Sequence, residues 1–272
     1  MNPNKALWEK GDFTEIAAFM RECGAAVVDS LVIEPPLRAL DLGCGPSGAI
    51  GLLSERAGPA GQVTGVDLNP GHAAAACSFA RRRGLANVQV VTADARHTGL
   101  PGGAFDLVHA RLLLVNVPRP AEIAAEMARL AKPGGWVAAV EADVTVVCHP
   151  PHPAVDRLTE LHATSYRLDG ADTHTGRRLP HLFRQAGLAD VGVEARAEMY
   201  PPGHPQRVVL PDLVRAMRPQ ILTRGLAGEA ELDALDAEAR RHLADPGTLI
   251  VPALYFLAWA RKPRPAGSGQ TR

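Results

Sequence analysis

Between residues 38 and 143 the chain alternates short apolar runs with stretches of helical periodicity, and this rhythm limits the fold more than any other feature. Apolar runs at 39–42, 62–67, 88–92, 105–109 and 136–141 read as strands, and helices are predicted over 47–57, 70–83 and 121–131. Short apolar strands separated by helices need cover on both faces, which implies a parallel sheet in an α/β fold. Arg81-Arg82-Arg83 stands just before Gly84. That fits a helix C-terminus, where cations meet free carbonyls and glycine turns the chain.

Upstream, Asp12 and Glu15 form a capping box, and Ile16, Phe19, Met20 and Cys23 recur on one helical face. Pro35-Pro36 separates this segment from the alternation. After residue 143 the rhythm changes: helices are predicted over 153–168 and 175–186, a sixth strand over 191–197, helices over 211–225 and 229–243, and a last strand over 249–259. The insertion between the last two strands reads as a lid over a ligand pocket or as plain scaffold. The expected organisation is a helical cap at 1–36, a cofactor-binding core at 37–143, substrate-side helices and final strands of the same domain at 144–262, and a Gly/Pro-rich flexible tail at 263–272.

Composition removes several function classes. Lys plus Arg and Asp plus Glu both number 29, so the formal net charge is zero and no basic stripe invites nucleic acid. No apolar run approaches the roughly 18 residues needed to cross a bilayer, and the start lacks the pattern of a signal peptide. Cys23, Cys44, Cys77 and Cys148 are scattered without metal or disulfide spacing, which suits a reducing cytoplasm. Abundant Arg, Ala, Gly and Pro suggest a bacterial source with a GC-rich genome.

Asp41-Leu42-Gly43-Cys44-Gly45-Pro46-Ser47-Gly48 carries most of the chemistry. Gly43, Gly45 and Gly48 make a G-x-G-x-x-G between strand and helix, a pattern that serves either a dinucleotide or S-adenosylmethionine (SAM). Its glycines let the backbone bend tightly and approach a ligand closely. Asp41, two residues ahead, suits a cationic aminoacyl group and would repel a pyrophosphate. Asp67 ends the second strand, where it can accept both ribose hydroxyls of either ligand. Asp94-Ala95 follows the third, with a carboxylate for an adenine amino group and a backbone N–H for the ring. Each aspartate also has a plain reading as a turn cap.

These segments, with Phe105-Asp106-Leu107-Val108 and Leu130-Ala131-Lys132-Pro133-Gly134-Gly135, resemble class I SAM-dependent methyltransferases, in particular the UbiE-like group of bacterial small-molecule enzymes. The likeness covers roughly 37–143, and it extends to Trp8-Glu9-Lys10-Gly11-Asp12-Phe13 and to Thr175-Gly176-Arg177-Arg178-Leu179-Pro180. It implies a Rossmann-like seven-stranded sheet, six strands parallel and the last antiparallel, with helices on both faces and helical lid additions. It also implies SAM as cofactor and S-adenosylhomocysteine (SAH) as product. By the same resemblance Asp41, Gly43, Cys44 and Gly45 would hold the methionine moiety, Asp67 with Leu68 the ribose side, and Asp94 with Ala95 the adenine. Ala110 and Arg111 would lie beside the sulfonium.

Positioning and electrostatics can supply much of the acceleration of methyl transfer, and a base helps where the nucleophile is a hydroxyl or an acidic carbon. Candidates at the carboxyl ends of the strands are His97, Arg111, Asn116 and His149. Asn116 stands where many relatives place His. Glu141, Asp143, His152, His162, Tyr166 and His174 are further candidates, and any single His also has a structural reading. Cys148-His149-Pro150-Pro151-His152 offers too few clustered ligands for a metal site. Val108-His109-Ala110-Arg111 stands where enzymes methylating amino groups of DNA or protein carry Asn/Asp-Pro-Pro-Tyr/Phe, which points away from polymer substrates.

The leading expectation is methyl transfer to O, N or C of a small metabolite, with secondary metabolism as the setting. The alternatives are a SAM-binding protein with a non-methylating or accessory role, and an NAD(P)-dependent oxidoreductase, against which Asp41, Asp94-Ala95 and the Pro-Gly-Gly turn all count. The expected partner is a small-molecule methyl acceptor, with a homodimer left open and neither nucleic acid nor membrane expected.

Overall fold

The computed structural model describes residues 28, 31, 33–46 and 49–265. The capping box at Asp12, Ser47-Gly48 of the glycine loop and the last residues of the tail lie outside them. A mixed sheet of seven strands forms the centre, in the order β3-β2-β1-β4-β5-β9-β7. Its strands are β1 (Arg38–Leu42), β2 (Gln62–Asp67), β3 (Val88–Thr92), β4 (Phe105–Arg111), β5 (Ala131–Asp143), β7 (Ala189–Ala197) and β9 (Leu254–Arg261). The first five pair in parallel, and β9 runs antiparallel between β5 and β7. Six parallel strands and one antiparallel strand are what the family resemblance implied.

Alternating side chains cover the two faces. Leu40, Leu42, Val108, Ala110, Val137 and Ala139 pack on one side against Ile123, Met127 and Leu130 of α3 (Pro120–Leu130) and Leu179, Leu182 and Phe183 of α5 (Thr175–Gln185). Ala39, Val63, Leu107, Ala138 and Val140 pack on the other against α1 (Ile50–Ala57) and Ala76 of α2 (Pro70–Arg82). Each fully buried leucine or phenylalanine contributes about 1.5–3 kcal/mol by leaving water. The ends of α2 follow from sequence: the Asn69 side chain accepts from the Gly71 N–H at 2.8 Å, Pro70 opens the helix, and Arg81 and Arg82 occupy its last turn.

The region after β5 builds a third apolar core of its own. It gathers Val155, Leu158 and Leu161 of α4 (Pro153–Leu168), Leu210 and Val214 of α6 (Val209–Ala216), Ile221 of α7 (Arg218–Thr223) and Leu232 and Leu243 of α8 (Glu229–Ala244). The predicted helix over 211–225 is two helices, because Pro219 sets a new first turn after Met217. The single last strand predicted over 249–259 is also two. Residues Leu249–Val251 form β8, which pairs antiparallel with β6 (Val147–His149) in a separate two-stranded sheet. Pro252 lacks the N–H a ladder needs, and β9 begins two residues later.

Candidate cofactor and acceptor site

At the end of β1 the chain turns through Gly43 at φ 68° and Gly45 at φ 57°, a region that costs glycine little. The Gly43 and Cys44 N–H groups donate to the Val66 carbonyl at 2.8 and 2.9 Å, and the Gly45 N–H donates to Asp67 Oδ2 at 2.8 Å. The bend is thus stitched to the end of β2. A Cβ on Gly43 would come 2.8 Å from Leu113 Cδ1, whereas one on Gly45 would meet no atom within 4 Å. Close packing therefore excludes a side chain at the first position, and the backbone at the second faces open space. Cys44 is buried against Gly65, and burial, then Asp41 and Asp67, push its thiol far up, so it packs rather than reacts.

Asp41 is buried, with the Ala49 N–H donating to Oδ2 at 3.1 Å and His109 Nδ1 lying 2.8 Å from Oδ1. Asp41 and His109 are register partners on β1 and β4. Sequence reasoning gave His109 no role, since only strand pairing brings together two residues so distant in sequence. Asp67 accepts the Asn69 N–H at 2.9 Å, and beside it Leu68 exposes 43% of its surface. Asp94 receives Arg96 Nε at 3.0 Å and Nη2 at 2.5 Å. That pairing holds its carboxyl below the usual range, against the opposing effect of burial. Ala95 is buried in the core. The sheet thus brings Asp41, Asp67 and Asp94 to the carboxyl ends of β1, β2 and β3, beside the bend.

Ala110 is buried and Arg111 ends β4, in register with Val140. Leu112 follows at φ 49°, a strained conformation for a bulky residue. Buried Glu141 stabilises the turn: its carboxyl accepts the N–H groups of Leu113 at 3.0 Å, Leu114 at 2.8 Å and Val115 at 3.1 Å. Burial pushes the Glu141 carboxyl up to about 7, with those three N–H groups pulling against it. Asn116 ends the turn, donating to the Leu112 carbonyl at 2.7 Å and accepting from the Tyr166 hydroxyl at 2.9 Å. His162 lies beyond, its ring centre 4.6 Å from that of Tyr166.

The other candidates disperse. His97 is exposed, its N–H donating to the Asp94 carbonyl at 3.0 Å, and His149 is exposed on β6. His152 caps α4 by accepting the Ala154 N–H at 3.2 Å. Asp143 binds Arg177 through both oxygens and lies 3.1 Å from His174. Burial would raise the Asp143 carboxyl, but hydrogen bonds from Arg177, Thr145 and His174 lower it to about 2. Among the described residues no group of three His, Cys, Asp or Glu is placed to hold a metal ion. None of the helices described is long and apolar enough to cross a membrane.

An open α/β sheet with a glycine bend and strand-end carboxylates defines a Rossmann-like fold. Comparison with known proteins makes the assignment specific. Residues 40–139 match the family of the methyltransferase domain. The chain is 33% identical to nocamycin O-methyltransferase of Saccharothrix syringae over 44% of its own length, and spans only 42% of that relative's length. It is 33% identical to demethylmenaquinone methyltransferase of Anoxybacillus flavithermus, over 60% of this chain and 74% of the relative. In fold it is similar to the [4+2]-cyclase SpnF, with a TM-score of 0.59 at 23% identity, covering 90% of this chain and 81% of the other. The chain belongs to the class I SAM-dependent methyltransferases, in the UbiE-like group.

Proposed function

We propose that the protein transfers a methyl group from SAM to an oxygen, nitrogen or carbon of a small organic metabolite, with secondary metabolism as the setting. Three carboxylates from successive strands, Asp41, Asp67 and Asp94, beside a glycine bend carry the reading. The residues fit SAM chemically. Buried Asp41 offers negative charge to the aminoacyl end, open backbone at Gly45 leaves room for close approach, and Asp67 supplies acceptors for ribose hydroxyls. Exposed Leu68 offers an apolar surface, and Asp94, whose carboxyl also receives Arg96, stands with the Ala95 N–H for the adenine edge. Gly43 and Cys44 shape the bend, while Ala110 and Arg111 line the end of β4. When bound, SAM supplies an electrophilic methyl on a sulfonium.

The chain's own task is then to hold the acceptor and exclude water. We place Arg111 and Asn116 on the acceptor side, because Arg111 ends β4 and the turn held by Glu141 sets Asn116 just beyond that end. The helices after β5 are the cover for that end. His97 and His149 are exposed and stay outside this proposal. A small-molecule acceptor agrees with the likeness to nocamycin O-methyltransferase.

Titration calorimetry with SAH tests the reading. The parent should bind it, and a folded variant carrying Asp67→Ala and Asp94→Ala should lose at least about 100-fold in affinity, each lost charged acceptor costing about 1.5–3 kcal/mol. Equal affinity in parent and variant would reject it. NADH binding in place of SAH would favour a nicotinamide enzyme.

A further inference from the structure

Where the helical insertion meets the ends of β4 and β5, polar side chains from two parts of the chain run in sequence. Glu141 holds the 113–115 turn, Asn116 ends it, the Tyr166 hydroxyl donates to Asn116, and the His162 ring lies against Tyr166. The last member is unsatisfied. His162 is 2% exposed and neither ring nitrogen has a hydrogen-bond partner. A buried imidazole with both nitrogens idle is costly, and such a group calls for an explanation. Burial lowers its pKa to about 4, so the ring is neutral near pH 7, with one nitrogen a donor and the other an acceptor.

We propose that His162 is the residue that grips the methyl acceptor, and that this acceptor is an uncharged, largely apolar molecule presenting a hydroxyl group. The proposal rests on the methyltransferase reading. A hydroxyl both donates and accepts, so it satisfies whichever nitrogen it meets. An uncharged molecule fits the α4 side because Asp169 is paired with Arg224 and Asp143 with Arg177, while Glu141 is occupied by three N–H groups. The apolar character follows from Leu158 and Leu161, which pack in the same core as Tyr166. His162 lies on α4 and is buried, so the acceptor enters as α4 parts from the turn, giving up the hydrogen bond between Tyr166 and Asn116.

The test uses the full chain saturated with SAH, titrated with 1-naphthol and, as a control of matching shape, naphthalene. The parent should bind naphthol about tenfold more tightly than naphthalene, the return for one made hydrogen bond of about 1.4 kcal/mol. The 15N signals of His162 should shift with naphthol and stay still with naphthalene. His162→Ala should erase the preference while its affinity for SAH stays at the parental value. His162→Gln, which keeps a donor and an acceptor, should restore part of it. An unmoved His162 signal, or a preference that survives His162→Ala, overturns the proposal. The signal measurement needs no variant, so it decides even where a substituted chain fails to fold. Failure of the parent to take up SAH would strike the methyltransferase reading instead, which separates the two.

Discussion

Glu141 shows how one buried side chain sets the shape of a site it need not touch. Its carboxyl fixes Leu113 to Val115, and Leu113 in turn closes over Gly43. Because burial lifts its pKa from 4.5 to about 7 in the folded state, its contribution to stability is fully present below about pH 4.5 and is lost as pH rises through about 7. Urea unfolding at a series of pH values should therefore show the parent losing stability relative to Glu141→Gln between those limits. At pH 5 the variant should be less stable by about 1–3 kcal/mol, since an amide NH2 would face a backbone donor. A constant difference across the series would mean that Glu141 keeps one protonation state. Sequence placed Glu141 at a strand end, but the three donors it serves lie across the sheet and gave no local signal.

At the scale of elements, Arg207 ties the insertion together. Buried, it donates to the carbonyls of Tyr200 at 2.9 Å, Leu243 at 2.8 Å, Asp245 at 3.2 Å and Thr248 at 2.7 Å. It thereby anchors the end of α8 to the approach to β8. Arg207→Met should cost about 3 kcal/mol or more by stranding those carbonyls, seen as a lower thermal midpoint, while SAH affinity changes little. An unchanged midpoint would show that water replaces the guanidinium. Elements were legible where their signals are local: Pro70, Asn69 and the terminal arginines delimit α2, and Pro153 opens α4 at the predicted residue. They were misread where pairing decides. Residues 249–259 read as one apolar run, yet β8 joins β6 and β9 joins β5 and β7.

For the whole molecule, separate cores predict separate stabilities. The sheet's two cores enclose β1, β4 and β5 on both faces, whereas the insertion rests on its own smaller cluster. Hydrogen exchange should find amides of β4 and β5 protected longest and those of α6, α7 and α8 opening first. Equal protection throughout would mean that insertion and sheet unfold as one unit. The sequence by itself determined the alternation of strands and helices, the glycine bend and the three strand-end acids, because each depends on neighbours within a few residues along the chain. Only the tertiary structure decided that His109 meets Asp41, that Glu141 holds the turn after β4, and that Asn116, Tyr166 and His162 converge. Such contacts join residues from different strands and helices, and their energy exists only once the sheet and the insertion have packed together.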